Sequence, residues 1–323
     1  MASSCYFRKK MELAAQACDI LGDLRIWPEG FCNISAPDVI TMASTDSVGH
    51  EAAEQFGKGA DGRMGWTAIV LAGRRPGVDP LAAHFGVEAK ALIPIAGEAM
   101  VSRVLHSLCD VPEMSRIVVL TQDSEELSAA PELEWTRTQD RIHFMRSGKT
   151  ISGSVLEFLR QDRNTQPVFL TTADNVLLTP EIARYFCDAA QAAQLSIGLV
   201  SRQQLERDFG ESQRTWWHFR DGDFSGANLF ALRVDNADEV TEALQFWEKI
   251  EQDRKKVWKI AARFGPLLML RVVLRRLSLA RAVQEAGRRL HVDAQAVELP
   301  FGRAAIDVDK LSDHVMAEKI LQS

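Results

Sequence analysis

The chain has 323 residues, enough for one large α/β domain or two smaller ones around a substantial buried core. Its 46% hydrophobic and 25% charged residues are ordinary for a soluble globular protein. A net charge of −6, from 38 basic and 44 acidic residues, argues against a general nucleic-acid binder but leaves room for a small anion held by local arginines. The five cysteines (Cys5, Cys18, Cys32, Cys109, Cys187) have no CxxC spacing, so neither a disulfide framework nor a zinc site is expected. Free thiols suit a reducing cytoplasm. No apolar run reaches the roughly 18 residues of a membrane span. Glu12 breaks the mildly apolar N-terminal stretch, which argues against a signal peptide.

Residues 1–64 read as an N-terminal extension, with one short helix over Lys10–Leu21 and then the polar, glycine-rich DSVGHEAAEQFGKGADGRMG. This part is expected to be partly disordered or loosely docked, and a start codon placed too early would give the same pattern. From Trp66 onward strands and helices alternate. WTAIVLAG is a buried strand, EAMVSRVLHSL a helix, and SRIVVLTQ and RIHFMRS two further strands. SGSVLEFLRQ is a helix, QPVFLTTAD a strand, TPEIARYFCDAAQAA a helix and LSIGLVSR a strand. Thr179-Pro180-Glu181 supplies a cap, a first-turn proline and an acid at the positive end of the helix dipole.

The last third is helix-rich, with a helical insertion over about 236–290 in a domain spanning 65–323. It closes with strand-like HVDAQAVELP and AAIDVD and a helix over KLSDHVMAEKILQ. Such alternation predicts a mostly parallel sheet between two helical layers, an α/β three-layer sandwich. Ligands in such sheets sit beyond the carboxyl ends of the strands, here LAGRRPG, MRSGKT and TTADN.

SGKT (Ser147 to Thr150) looks at first like a P-loop, but position 143, where that motif needs glycine, is His143. The segment still places Lys149, Thr150, Ser152 and Ser154 at a helix N-terminus, where an anion is welcome. DGD (Asp221 to Asp223) sits between strand-like WWHFR and FSGANLFALR and reads as a hairpin turn. The stretch RFGPLLMLRVVLRRLSLARAV carries Arg271, Arg275, Arg276 and Arg281 at regular intervals. Such a helix either packs its leucines into the core with arginines in water or lies on an anionic membrane surface. The histidines show no HxxxH or HxE spacing and GxSxG is absent, so metal-hydrolase and serine-hydrolase readings lack support.

The loop LAGRRPG is followed by AKALIPIAGEAM. Together they resemble the MobA-like NTP transferases and sugar-phosphate nucleotidyltransferases of glycosyltransferase-A-like, Rossmann-like fold, whose signature runs LAGGxGxR and then PKxLxPixGxPM. Leu71, Ala72, Gly73 and Arg75 match the first part, and Lys90, Leu92, Pro94, Gly97 and Met100 the second. Arg74 stands where the second glycine is usual, adding a Cβ where backbone amides approach phosphate, though arginine brings donors of its own. Ala89 replaces the proline before the lysine.

The resemblance implies Mg²⁺-dependent transfer of NMP from an NTP to a phosphorylated acceptor, with pyrophosphate released. It implies Arg75 and Lys90 as catalytic groups on the triphosphate, with Leu71, Ala72, Gly73, Arg74 and Ser154 around the nucleotide; Arg75 is expected to face the phosphates and Arg74 to point outward. It implies Asp174 of TTADN as a metal ligand, completed by Asp307 or Asp309 of AAIDVDK, two positions that share a face if the segment is a strand. Asn228 of GANLF would touch the acceptor. The partners expected are an NTP and a sugar, cyclitol or lipid head-group phosphate, with no nucleic acid. Two rivals remain: an NDP-sugar-dependent glycosyltransferase of similar fold, and a non-catalytic nucleotide-binding relative.

Overall fold

The runs WTAIVL, MSRIVVLT and VFLTT are short, apolar and rich in β-branched residues, and they form neighbouring parallel strands in the computed structural model. The structure describes residues 65–73, 77–148, 150–161, 167–210, 214–233, 239–245, 270–272 and 274–323. In chain order these hold β1 (Trp66–Leu71), α1 (Pro80–Phe85), a 3₁₀ turn (Lys90–Leu92), β2 (Pro94–Ile95), β3 (Glu98–Ala99) and α2 (Met100–Cys109). Next come β4 (Met114–Thr121), α3 (Ser124–Ala129), β5 (Ile142–Arg146), α4 (Ile151–Gln161), β6 (Val168–Thr172) and α5 (Pro180–Ala189). The chain continues through β7 (Leu195–Ser201), α6 (Arg202–Phe209), β8 (Trp217–Phe219), β9 (Gly222–Leu232), α7 (Leu279–Arg289), β10 (Ala294–Glu298) and α8 (Leu311–Leu321). Residues 239–245 and 270–272 are also helical, and the rest of the expected helical insertion before α7 is largely outside the described residues, as is the extension 1–64.

The main sheet has eight strands in the order β10-β7-β9-β6-β1-β4-β5, with β8 paired to β9. Its pairings are parallel except along β9, which runs against β6, β7 and β8. The two-residue side-chain period divides the central strands between two cores. Ala68, Val70, Ile117, Val119 and Phe169 join one cluster with α2, α5 and α8, while Ile69, Val118, Leu120 and Leu170 join the other with α4. Fully burying one such side chain is worth about 2 kcal/mol, so these two layers carry the stability. This is the three-layer α/β architecture expected from the alternation of elements.

Local signals set the helix starts. Asp79 caps α1 by accepting from Leu81 and Ala82 amides at 2.9 and 3.0 Å. Thr179 caps α5 with Pro180 in the first turn, as expected. One expectation fails: AAIDVD is not a strand. Residues 302–305 form a 3₁₀ turn, and 306–309 run on without a sheet partner until α8 begins. Ile306 and Val308 are fully buried, and the Val308 amide donates to the carbonyl of Asp174 at 3.1 Å, which pins the segment to the end of β6 rather than to a strand edge.

Candidate active site

Chain order places the site. From the central β1 the next long strands, β4 and β5, build outward to one side, while β6 pairs on the other. The crevice at the carboxyl ends of β1 and β6 is therefore a topological switch point. Leu71 and Thr172 are register partners there, so the Gly73 turn and Asp174 emerge side by side. A Cβ on Gly73 would stand 3.0 Å from the Gln122 side-chain amide, so a larger residue there would have to push that side chain aside. Arg74 and Arg75 lie outside the described residues.

Lys90 reaches this crevice from the 3₁₀ turn. Ala89 before it is buried and extended at φ −116°, ψ 134°, a backbone that proline's φ near −65° would not match. After the turn, Ala96 and Gly97 both have positive φ (47° and 90°) at the tip of the β2–β3 hairpin, as a two-residue type I′ turn requires. α8 grips this hairpin: His314 Nε2 donates to the Pro94 carbonyl at 2.8 Å, and the Ala96 amide donates to Glu318 Oε1 at 3.2 Å. The His314 ring also packs on Phe85, 4.6 Å between centroids. α8 thus holds the lysine-bearing segment in place while its own N-terminus follows Asp309.

Three carboxylates meet two cations. Lys90 Nζ donates to Asp174 Oδ2 at 2.6 Å and to Asp309 Oδ1 at 2.7 Å. Thr172 donates to the other oxygen of Asp174 at 2.5 Å. Burial alone would pull the ammonium's pKa down, but the two carboxylates outweigh it and hold Lys90 above its ordinary value. Burial likewise pushes Asp174 up, yet the Lys90 charge and hydrogen bond, with Thr172, keep it below the usual carboxylate range.

Asp307 turns to the other side. Arg214 Nη1 donates to its Oδ1 at 2.8 Å, and Asn228 Nδ2 to its Oδ2 at 3.2 Å. Burial, followed by the negative charges of Asp174 and Asp309, raises Asp307 despite Arg214. Asn228 reaches this position through a bulge in β9: Ile197 pairs with Phe230 and Leu199 with Gly226, leaving three β9 residues opposite Gly198. Asn228 itself takes φ 50°, a left-handed conformation that asparagine tolerates better than most residues. Asn175, fully buried, ties this bulge to β6 by donating to Thr171 Oγ1 and the Ala227 carbonyl, each at 3.2 Å.

The structure therefore brings Lys90, Asp174, Asp307, Asp309 and Asn228 to one crevice beside Leu71, Ala72 and Gly73. Ser154 stays within its own loop, buried, with its hydroxyl donating to the Thr150 carbonyl at 2.6 Å and accepting from the Gly148 amide at 2.9 Å. The expectation that its hydroxyl meets the nucleotide thus falls on a group already engaged in closing the SGKT loop, whose Lys149 lies outside the described residues. The DGD stretch lies at the expected hairpin, whose turn is Arg220-Asp221 with Gly222 and Asp223 opening β9, and Asp221 accepts from the Leu279 amide at 2.9 Å at the start of α7. Arg271 pairs with Glu285 at 3.1 Å, and among the described residues no helix is long and apolar enough to cross a membrane. Sequence reasoning missed Arg214, Thr172, His314 and Glu318. Thr172 was the readable one, two residues before Asp174 at a strand end. Arg214 and the α8 contacts carry no local signature.

The oxygens of Asp174, Asp307 and Asp309 are hard donors of the type a divalent cation takes. Among the described residues no three carboxylate, histidine or cysteine side chains gather at chelating distance, and the Lys90 ammonium stands between Asp174 and Asp309.

The chain is similar to known proteins. A transferase structure from Thermus thermophilus, titled hypothetical, shares 29% identity over 78% of this chain and 100% of its own, with a TM-score of 0.65. A 4-diphosphocytidyl-2C-methyl-D-erythritol synthase from Anaerococcus prevotii DSM 20548 aligns at 12% identity over 80% of this chain and 99% of its own, with a TM-score of 0.49. Comparison with curated proteins gives no significant match. The MobA-like NTP transferase domain matches residues 68–289, and the chain belongs to that family.

Proposed function

We propose that the protein transfers NMP from an NTP to a phosphorylated acceptor and releases pyrophosphate. The observation that carries this reading is the convergence of Lys90, Asp174 and Asp309 at the switch point between β1 and β6. An acceptor phosphate is already ionised near neutral pH and needs no general base, so the protein's tasks are positioning and charge neutralisation. Lys90 and Arg75 bind the triphosphate and meet the charge that develops on it. Asp174, with Asp307 or Asp309, would hold Mg²⁺, which when bound draws negative charge from the α-phosphate and the departing pyrophosphate. Asn228 and Arg214 line the side from which the acceptor approaches, and their hold on Asp307 fixes its orientation. The reading extends to a cytoplasmic enzyme acting on a sugar, cyclitol or lipid head-group phosphate and on no nucleic acid.

The test is pyrophosphate release from each of the four NTPs with Mg²⁺ and a set of phosphorylated acceptors. One NTP and one acceptor are expected to support turnover in the wild type and to fail in Asp174→Asn. Release of NDP from an NDP-sugar, with no pyrophosphate from any NTP, would instead make the protein a glycosyltransferase. Nucleotide binding without either release would make it a non-catalytic relative.

A further inference from the structure

We infer that Lys90 is a resident cation that excludes free divalent metal from the carboxylates, so that metal and NTP enter as one complex. The inference rests on the metal assignment proposed above. Both oxygens of Asp174 are engaged, one by Lys90 at 2.6 Å and the other by Thr172 at 2.5 Å, and Lys90 takes an oxygen of Asp309 at 2.7 Å. The side chains involved are largely covered, with Lys90 and Asp174 only 18% and 19% exposed. A hydrated ion arriving alone must therefore displace an ammonium from two carboxylates and leave that ammonium without an anion in a partly desolvated crevice. Losing one partner of such a pair strands the other charge, which is the expensive outcome.

A metal carried by a triphosphate changes the balance, because it brings anionic oxygens to receive the displaced lysine. Lys90 is built for such a transfer. Its ammonium is a compact charge on a four-carbon stem with three rotatable donors. The Lys90 carbonyl accepts from the Ile93 amide at 3.1 Å and the hairpin that follows is held by His314 and Glu318, so a swing of the side chain is enough for the transfer. Metal and nucleotide then help each other bind, and linkage requires the help to be reciprocal.

The test measures Mn²⁺ binding to the full-length protein by electron paramagnetic resonance, without nucleotide. Wild type is expected to bind weakly, Lys90→Met at least about tenfold more tightly, and Lys90→Arg, which keeps the charge, like wild type. Adding Asp174→Asn to Lys90→Met should abolish the gain. Equal Mn²⁺ affinity in wild type and Lys90→Met overturns the inference, as does a gained site that survives Asp174→Asn and Asp309→Asn. Lys90→Gln, checked by its melting curve, serves the same comparison if Lys90→Met does not fold. Failure of the proposed reaction reads differently: pyrophosphate release is absent from wild type under every NTP and acceptor, whatever the Mn²⁺ result.

Discussion

The two sides of the crevice are built on opposite plans. On one side, parallel β1, β4, β5 and β6 run in unbroken register, apart from one shift at Trp66, and deliver Gly73 and Asp174 at adjoining strand ends. On the other, the reversed β9 breaks its pairing with β7 and takes a left-handed asparagine to present Asn228. The first side holds its aspartate between an ammonium and a hydroxyl, below its ordinary pKa. The second holds Asp307 above it, raised by burial first and then by the neighbouring negative charges, which Arg214 only partly offsets. Regular strands suffice where a backbone turn and one carboxylate must emerge side by side. A bulge is needed where a side chain must be re-aimed at a neighbour across the site.

The sharpest way to break this comparison is to neutralise one aspartate on each side. Asp174→Asn should lower pyrophosphate release by on the order of a thousandfold while the melting stays cooperative, at a lower temperature because Lys90 loses a partner. Wild-type turnover would remove Asp174 from the chemistry. Lys90→Met should lower kcat by about a hundredfold. Arg75→Gln should behave similarly and Arg74→Gln much less, measured as the same release; the reverse order would mean that Arg74 faces the phosphates.

On the other side, Arg214→Gln and Asn228→Ala should raise the KM for the acceptor by about tenfold while the KM for NTP changes little. A matching rise in both would place the second side on the nucleotide as well. Stability against pH separates the two aspartates by sign. Asp307, raised in the folded state, contributes stability at pH below its unfolded value of about 3.9, and this is lost as pH rises through its folded value. Asp174, depressed, contributes above about pH 3.9 and its contribution fades on acidification through its folded value. Melting temperatures should therefore lose part of their fall with rising pH in Asp307→Asn, and part of their acid loss in Asp174→Asn. The smallest effect is at Ser154→Ala, which should cost about 1 kcal/mol, a fall of roughly 2–4 °C, by leaving the Gly148 amide without its acceptor.

Most strands and helices from β1 to β7 were legible, because buried alternation and caps such as Thr179 act within a few residues. The segment 304–309 misled for a related reason. Its alternation of buried Ile306 and Val308 with Asp307 and Asp309 is that of a strand, but what fills the ladder's place is the carbonyl of Asp174 and the 302–305 turn. Without a strand there, the shared face expected for Asp307 and Asp309 loses its basis, and their partners differ: Arg214 and Asn228 for Asp307, Lys90 for Asp309.

The sequence by itself determined the layered architecture, the glycine turn, the lysine segment and the aspartates at the chain's two distant acidic motifs. Only the tertiary structure decided how they pair. Lys90 lies 84 residues from Asp174 and 219 from Asp309, Arg214 lies 93 from Asp307, and His314 lies 220 from the carbonyl it binds. Local patterns report which face of an element is buried. Which charge answers which depends on strand order and on the packing of α8 against the β2–β3 hairpin, and neither leaves a periodic trace in the chain.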